Sequence, residues 1–353
     1  MSELTTEKSV PAGSLAWRGS EIPSLYGIRG VAAMAVVLSH VGVAASNGTY
    51  AVICFFVLSG FLITHLLLKE YDKTGDVSLR RFYARRALRI FPAFYGYALV
   101  YVIGRILLRL PIHWPSVLAC LTYTTNYYTA FHETVPPTMV HVWSLAVEEQ
   151  FYLLWPFIFW KFASNRSWLM NGLVAVILGV WAYRWLAVLL NFPGTYVFAA
   201  FETRADALAI GCLLAIANRE HLIPRWLIDW KWLALVALIA IAASSAVDLN
   251  GPRYAWSVVA VGFAVLLVQS VAHSRTVWYR WLNSRPLHAL GVISYSLYLY
   301  HPFANRLPGA LRILPVEIAF AIVLAMGSYF IVERPFLLWK ARMSSNAARL
   351  APR

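Results

Sequence analysis

Ten largely apolar stretches follow one another along this 353-residue chain, at residues 27–46, 50–68, 91–109, 141–160, 169–190, 197–217, 231–247, 254–272, 287–303 and 316–338. A hydrocarbon core about 30 Å thick takes roughly 20 residues of helix, so each stretch is near the length of one crossing. Little chain is left over, and a separate soluble catalytic domain does not fit. Hydrophobic residues make up 60% of the chain and charged ones 13%, whereas globular domains run near 45–50% and 25%. The expected fold is all-α, a polytopic transmembrane helix bundle of about ten spans. With no long internal repeat, the chain reads as a polar tail over residues 1–21, one transmembrane domain over 22–340 and a second tail over 341–353. The first apolar run lies too far from the start, and is too long, for a signal peptide.

A weaker stretch at 115–130 is rich in Thr, Tyr and Asn. Treating it as non-spanning or re-entrant puts Lys8, Arg18, the run from Lys69 to Arg89, Lys161, Arg166, Arg219, Arg225, Arg275 to Arg285 and Lys340 onward on one side. By the positive-inside rule that side, with both termini, is cytoplasmic. Counting it as a span would put Lys161, Arg166 and the 275–285 cluster outside. The net charge of +14 therefore sits in inner connections, which points to anionic lipid or an anionic cofactor rather than nucleic acid. Cys54, Cys120 and Cys212 lie singly, so neither a disulfide framework nor a metal site is expected.

Ionisable side chains inside spans are costly and each is a candidate site. Arg29 and His40 are eleven positions apart, about three turns, which places both on one helix face roughly 16 Å apart. A snorkelling Arg and an unrelated packed His would give the same spacing. In HVWSLAVEEQFYLLWP (141–156), Glu148 and Glu149 point about 100° apart. Ser144, Glu148 and Tyr152 form a polar stripe, while Leu145 and Leu153 flank Glu149, so Glu148 is expected to face the cavity. Ser294, Tyr298 and His301 share a face in SYSLYLYHP, and Arg204 and Asp206 of FETRADALAIG point to different sides, each toward a partner helix or a substrate. The proposed topology puts His40 roughly 20 Å from the inner surface and Glu148 roughly 10 Å from the outer one, at similar depth. A His and a carboxylate buried together are the ingredients of general base catalysis, the carboxylate orienting the ring.

Arg85, Arg86 and Arg89 fall within one turn of RRFYARRALRIFPAFY (80–95), beside aromatic residues at the inner side. Forked guanidinium groups of this kind suit phosphates, with stacking on a purine. An inner phosphate site linked to an outer-half base calls for a long, thin reagent, and acyl-coenzyme A has that shape.

The segments IPSLYGIRGVAAMAVVLSH (22–40), FFVLSGFLIT (55–64), FYARRALRIFPAFY (82–95), WSLAVEEQFYLLWP (143–156), RADALAIG (204–211), ISYSLYLYH (293–301) and YFIVERPF (329–336) together resemble the acyltransferase-3 family, in that family's order. The resemblance implies a multi-spanning membrane enzyme, in the cell membrane and most simply the bacterial inner membrane, moving an acyl group, commonly acetyl, from acyl-CoA to a hydroxyl. The implied acceptor is a sugar, polysaccharide or glycolipid. Arg29 and His40 correspond to the family's Arg-x10-His motif, and Arg85, Arg86 and Arg89 to its coenzyme A-linked arginine motif. Two positions depart from it: Tyr26 stands where relatives commonly carry Asp before the Gly-x-Arg, and Ile53-Cys54 where an Asp often precedes the paired Phe.

The expected mechanism has acyl-CoA as donor substrate, no tightly bound cofactor, His40 as base, Glu148 orienting it and Arg29 beside them. Arg204, Asp206, Ser294, Tyr298 and His301 are expected to contact substrate. The competing readings are a proton-coupled transporter or flippase, whose path the same buried charges would line, and a catalytically silent membrane scaffold.

Overall fold

Apolar runs become helices because lipid offers backbone N–H and C=O groups no partners outside the segment. The computed structural model describes residues 13, 15, 21–43, 47–132, 135–248, 255–340 and 342, and among these there is no β-strand. Helices α1 (Leu25–His40), α2 (Gly48–Thr74) and α3 (Leu79–Leu107) are followed by two short ones, α4 (Trp114–Leu121) and α5 (Thr125–Phe131). Then come α6 (Trp143–Phe162), α7 (Arg166–Leu189), α8 (Gly194–Ala199), α9 (Ala205–Arg219), α10 (Arg225–Asp229), α11 (Leu233–Asp248) and α12 (Ala255–Ala272). The chain ends in α13 (Val277–Arg280), α14 (Arg285–Val292), α15 (Ser294–Tyr300) and α16 (Leu314–Ser328), the last continuing through a π turn at Tyr329–Glu333 to Lys340.

Among the described residues five helices are long and apolar enough to cross a membrane: α2, α3, α7, α12 and the extended α16. Their outer faces keep large apolar side chains in the open, such as Leu107 at 77% and Leu189 at 69% exposure, which suits lipid and not water. α4 and α5, at eight and seven residues, reach only about 12 Å and cannot cross.

Four expected spans differ in the structure. Stretch 27–46 is helical only to His40, so this histidine ends its helix and does not sit mid-span. α3 begins at Leu79, twelve residues before the expected 91, and carries the arginines on the same helix as the apolar run. Stretch 197–217 is broken by a 3₁₀ turn at Phe201–Thr203, and 287–303 is broken between Val292 and Ser294 before passing into a 3₁₀ segment at His301–Arg306. Long side chains at those breaks make hydrogen bonds to carbonyls in the last turn of the preceding short helix, which a continuous helix would have consumed. The Arg204 Nε donates to the Phe198 carbonyl at 2.6 Å, and the His301 Nδ1 to that of Tyr298 at 2.7 Å.

Packing depends on two backbone-to-backbone approaches. α2 and α9 run side by side, and α1 lies on α14. A Cβ on Gly60 would lie 2.0 Å from the Leu208 carbonyl oxygen and one on Gly211 2.1 Å from that of Val57, while Gly291 is as tight against Tyr26. Small residues permit this closeness between membrane helices. Gly211→Val is expected to force α2 and α9 apart, costing at least about 3 kcal/mol, since backbone cannot yield as a side chain does. An unchanged thermal midpoint in detergent would refute the contact.

Candidate active site

Three helices turn a polar face toward one another. α1 contributes Arg29 and His40. α6 and the turn before it contribute His141, Ser144, Glu148 and Tyr152, and α14–α15 contribute Ser294, Tyr298 and His301. These faces build a polar column through an otherwise apolar core.

At one end lie three histidines. The His40 ring centroid is 4.6 Å from that of His301, which is 5.1 Å from that of His141. His141 and His301 are buried, whereas His40, as the last residue of α1, is exposed. The His40 Nδ1 stands 2.9 Å from the Val36 carbonyl oxygen. A carbonyl only accepts, so the neutral ring carries its proton on Nδ1 and leaves the Nε2 lone pair available. The same logic gives His301 an Nδ1 proton, bonded to Tyr298 O, and an Nε2 that has no hydrogen-bond partner among the described residues. The Tyr298 hydroxyl donates to the His141 carbonyl at 2.9 Å and shares a 2.5 Å bond with Ser144. Tyr298 thereby ties α15 to the start of α6.

Below this lies a second polar layer. Tyr152 donates to the Ser59 hydroxyl at 3.0 Å, which donates to Glu148 at 2.6 Å. Glu148 faces the column, as its stripe predicts. Its hydrogen-bond partner is Ser59 and not His40, because Glu148 lies seven residues along from His141, about 10 Å of helix rise. The expectation that Glu148 directly orients the His40 ring is therefore corrected: the Val36 carbonyl does so. Arg29 reaches the Ser294 hydroxyl with two nitrogens, at 3.1 and 3.3 Å. With Tyr26 in place of the acidic residue, and its ring against His288 at 4.5 Å, Arg29 is partnered across the α1–α15 contact instead. Ile53 and Cys54 are packed in the core.

The arginines stand at the far end of the column. Arg85 pairs with Glu70 at 2.8 Å and Arg89 with the buried Glu333 at 2.8 Å, while Arg86 lies over the Tyr152 ring at 4.6 Å. The Arg204 guanidinium lies 3.5 Å from the centroid of Trp256, with Phe198 and Trp143 around it. Asp206 pairs with Arg184 at 2.5 Å and accepts from Trp181 at 3.0 Å. The two side chains do point to different sides, and both tie neighbouring helices together. A cavity of about 450 Å³ beside this pair, lined by Trp181, Arg184, Trp185, Ser257 and apolar residues of α11 and α12, lies away from the histidines.

Sequence reasoning passed over His141, Ser59, Arg184 and Glu333. His141 was detectable, since it continues the Ser144–Glu148–Tyr152 stripe one turn back. Glu333 was equally so, as an ionisable residue within an apolar run. Arg184 was detectable in the same way, inside the 169–190 run, while Ser59 carries no such signal.

A family model described as an acyltransferase domain matches residues 22–334. The peptidoglycan O-acetyltransferase OatA of Listeria monocytogenes is 29% identical over 356 residues, covering 92% of this chain and 56% of that protein. The O-acetyltransferase OatA of Staphylococcus aureus is 27% identical over 351 residues, covering 89% and 57%. The chain thus spans little more than half the length of these relatives. No solved structure matches it.

Proposed function

Because the chain belongs to this acyltransferase family, we propose that it is a membrane-embedded O-acyltransferase, moving an acyl group, acetyl in the first instance, from acyl-coenzyme A to a hydroxyl of a carbohydrate acceptor. Its place is the bacterial inner membrane. The five long helices, together with α1, α6, α9, α11 and the α14–α15 pair, make ten crossings, an even number that leaves both termini on the arginine-rich, cytoplasmic side. Peptidoglycan is named for the Listeria relative, and a cell-wall glycan is the acceptor to test first.

The observation that carries this reading is His40, exposed at the end of α1 with its proton held on Nδ1 by Val36, joined by a polar column to a cluster of cations at the other end of the bundle. Acyl-CoA enters with its phosphates on the arginines and its thioester reaching toward the histidines. The His40 Nε2 takes the proton of the acceptor hydroxyl. The oxygen attacks the thioester carbonyl carbon, the C–S bond breaks, and the thiolate leaves with the proton returned by His40. Glu148, Arg29 and Ser294 line the path of the pantetheine arm, and Tyr298 and His301 shape the acceptor end.

The test is acyl-CoA binding and coenzyme A release by the purified chain, with Arg86→Gln as the variant. Arg86 forms no ion pair among the described residues, whereas removing Arg89 would take the ion-pair partner from the buried Glu333. Donor affinity is expected to fall about tenfold, the loss of one charge-assisted contact. Unchanged affinity would remove the arginines from the donor site. The interruption between α14 and α15 is the observation that would favour a transporter. Substrate movement without coenzyme A release would decide for it.

A further inference from the structure

The cavity beside Arg184 takes no part in the transfer chemistry. It is a furrow between α11 and α12 with α7 as its third wall. Its lining recurs along α12 at Ser257, Val261 and Val265, and along α11 at Leu233, Val236 and Ala240. Spacings of three and four keep one face of each helix turned to the furrow, which extends along α12 for about 12 Å of helix rise. Room is left because Ala237, Ala240 and Gly262 stand where larger side chains would close the gap. At Gly262 the two helices do touch, since a Cβ there would come within 2.9 Å of the Ile241 side chain.

The polar groups of the furrow are turned to one another. Asp206 balances the charge of Arg184 at 2.5 Å, and it accepts from the Trp181 indole at 3.0 Å and from the Ser257 hydroxyl at 3.1 Å. A phosphate or carboxylate entering here would meet Asp206 together with Arg184, so net charge gives it no hold. The rest of the lining is largely aliphatic, and the mouth opens away from the core, with Val236 57% and Val258 47% exposed. α7 and α12 have the length and hydropathy of membrane spans, so what bathes that mouth is lipid hydrocarbon. An apolar void holds no water, and its walls forfeit dispersion contacts while it stays empty. A volume of about 450 Å³ is within the range of pockets that take small ligands.

We propose that this furrow is a lipid-chain site, taking one hydrocarbon chain of a bilayer lipid between α7, α11 and α12. The chain lies along the aliphatic walls with its headgroup outside. It stiffens the junction at which Arg184 ties α7, the break before α9 and α12 together. The site stands whatever the donor and acceptor of the transfer reaction are.

The experiment measures thermal midpoints of the full chain in a sterol-based detergent, which brings no alkyl chain of its own, with and without added lipid. Dioleoylphosphatidylcholine is expected to raise the wild-type midpoint by about 3 °C or more. Dibutyrylphosphatidylcholine, with the same headgroup and chains too short to fill the furrow, is expected to leave it unchanged. Ala240→Leu from α11 and Val261→Phe from α12 each fill the space. Both are expected to keep or raise the lipid-free midpoint and to lose most of the lipid increment. Ile239→Phe enlarges an exposed position of α11 outside the furrow and is expected to keep that increment. A full increment in both filling variants overturns the proposal, as does the absence of any increment in wild type. A lowered lipid-free midpoint in both filling variants shows that the space is not there, and an equal response to dibutyrylphosphatidylcholine shows that the headgroup is what binds. Either result overturns the proposal as well.

Discussion

His40→Ala is expected to lower acyl transfer about a hundred- to ten-thousand-fold, the range that a positioned general base supplies, while donor affinity stays within a factor of two or so of wild type. The separation follows from the geometry. His40 stands at the histidine end of the column, and the cations that would hold the donor stand at the other, with the Glu148–Ser59 layer between them. Little else leans on the ring, since its Nδ1 bond is to its own helix at Val36 and its face is turned to His301. Folding should survive the truncation. The measurement is coenzyme A release with a glycan acceptor, alongside donor binding by the same preparation. Retained turnover would take the base role from His40, and the remaining candidates would be the Nε2 of His301 and the ring nitrogens of His141, which make no hydrogen bond among the described residues.

Arg184→Leu is expected to cost about 3–5 kcal/mol of stability, because it leaves a carboxylate uncompensated in the core. Arg184 and Asp206 are 4% and 2% exposed and meet at 2.5 Å. Arg184 also donates to the Thr203 carbonyl at 3.2 Å and bonds Ser257, so one guanidinium ties α7, the break before α9 and α12 together. The double variant Arg184→Leu/Asp206→Leu should recover a large part of the loss, since neither charge is then stranded. Thermal midpoints of both variants in one detergent check this. A double variant as unstable as the single one would show that the hydrogen bonds to Thr203 and Ser257, and not the stranded charge, carry the effect.

Much of the site was legible because membrane spans make ionisable and hydroxyl residues conspicuous. The stripe Ser144, Glu148, Tyr152 turned inward as its period of four requires, and Ser294, Tyr298 and His301 faced the same column. The departures lie where depth was inferred from span limits. His40 closes α1 instead of sitting within it, and this places its ring away from Glu148 and beside His301. Arg204 and Asp206, equally conspicuous in the sequence, are held by Trp256 and Arg184. Burial raises the cost of an ion whether it serves structure or chemistry, so conspicuousness alone does not separate the two.

The sequence by itself determined that the chain is helical, where its long apolar runs lie, and which face of several helices is polar. These follow from local quantities: the apolar length of a segment, the 3.6-residue period and the placement of charge. Only the tertiary structure decided that Arg85 and Arg89 are already paired, and that three histidines from separate parts of the chain share one end of the bundle. Those relations depend on how deep each helix sits against its neighbours. That depth is set by backbone approaches such as Gly60–Leu208 and Gly291–Tyr26, where packing between segments distant in sequence, and no property of either segment, fixes the register.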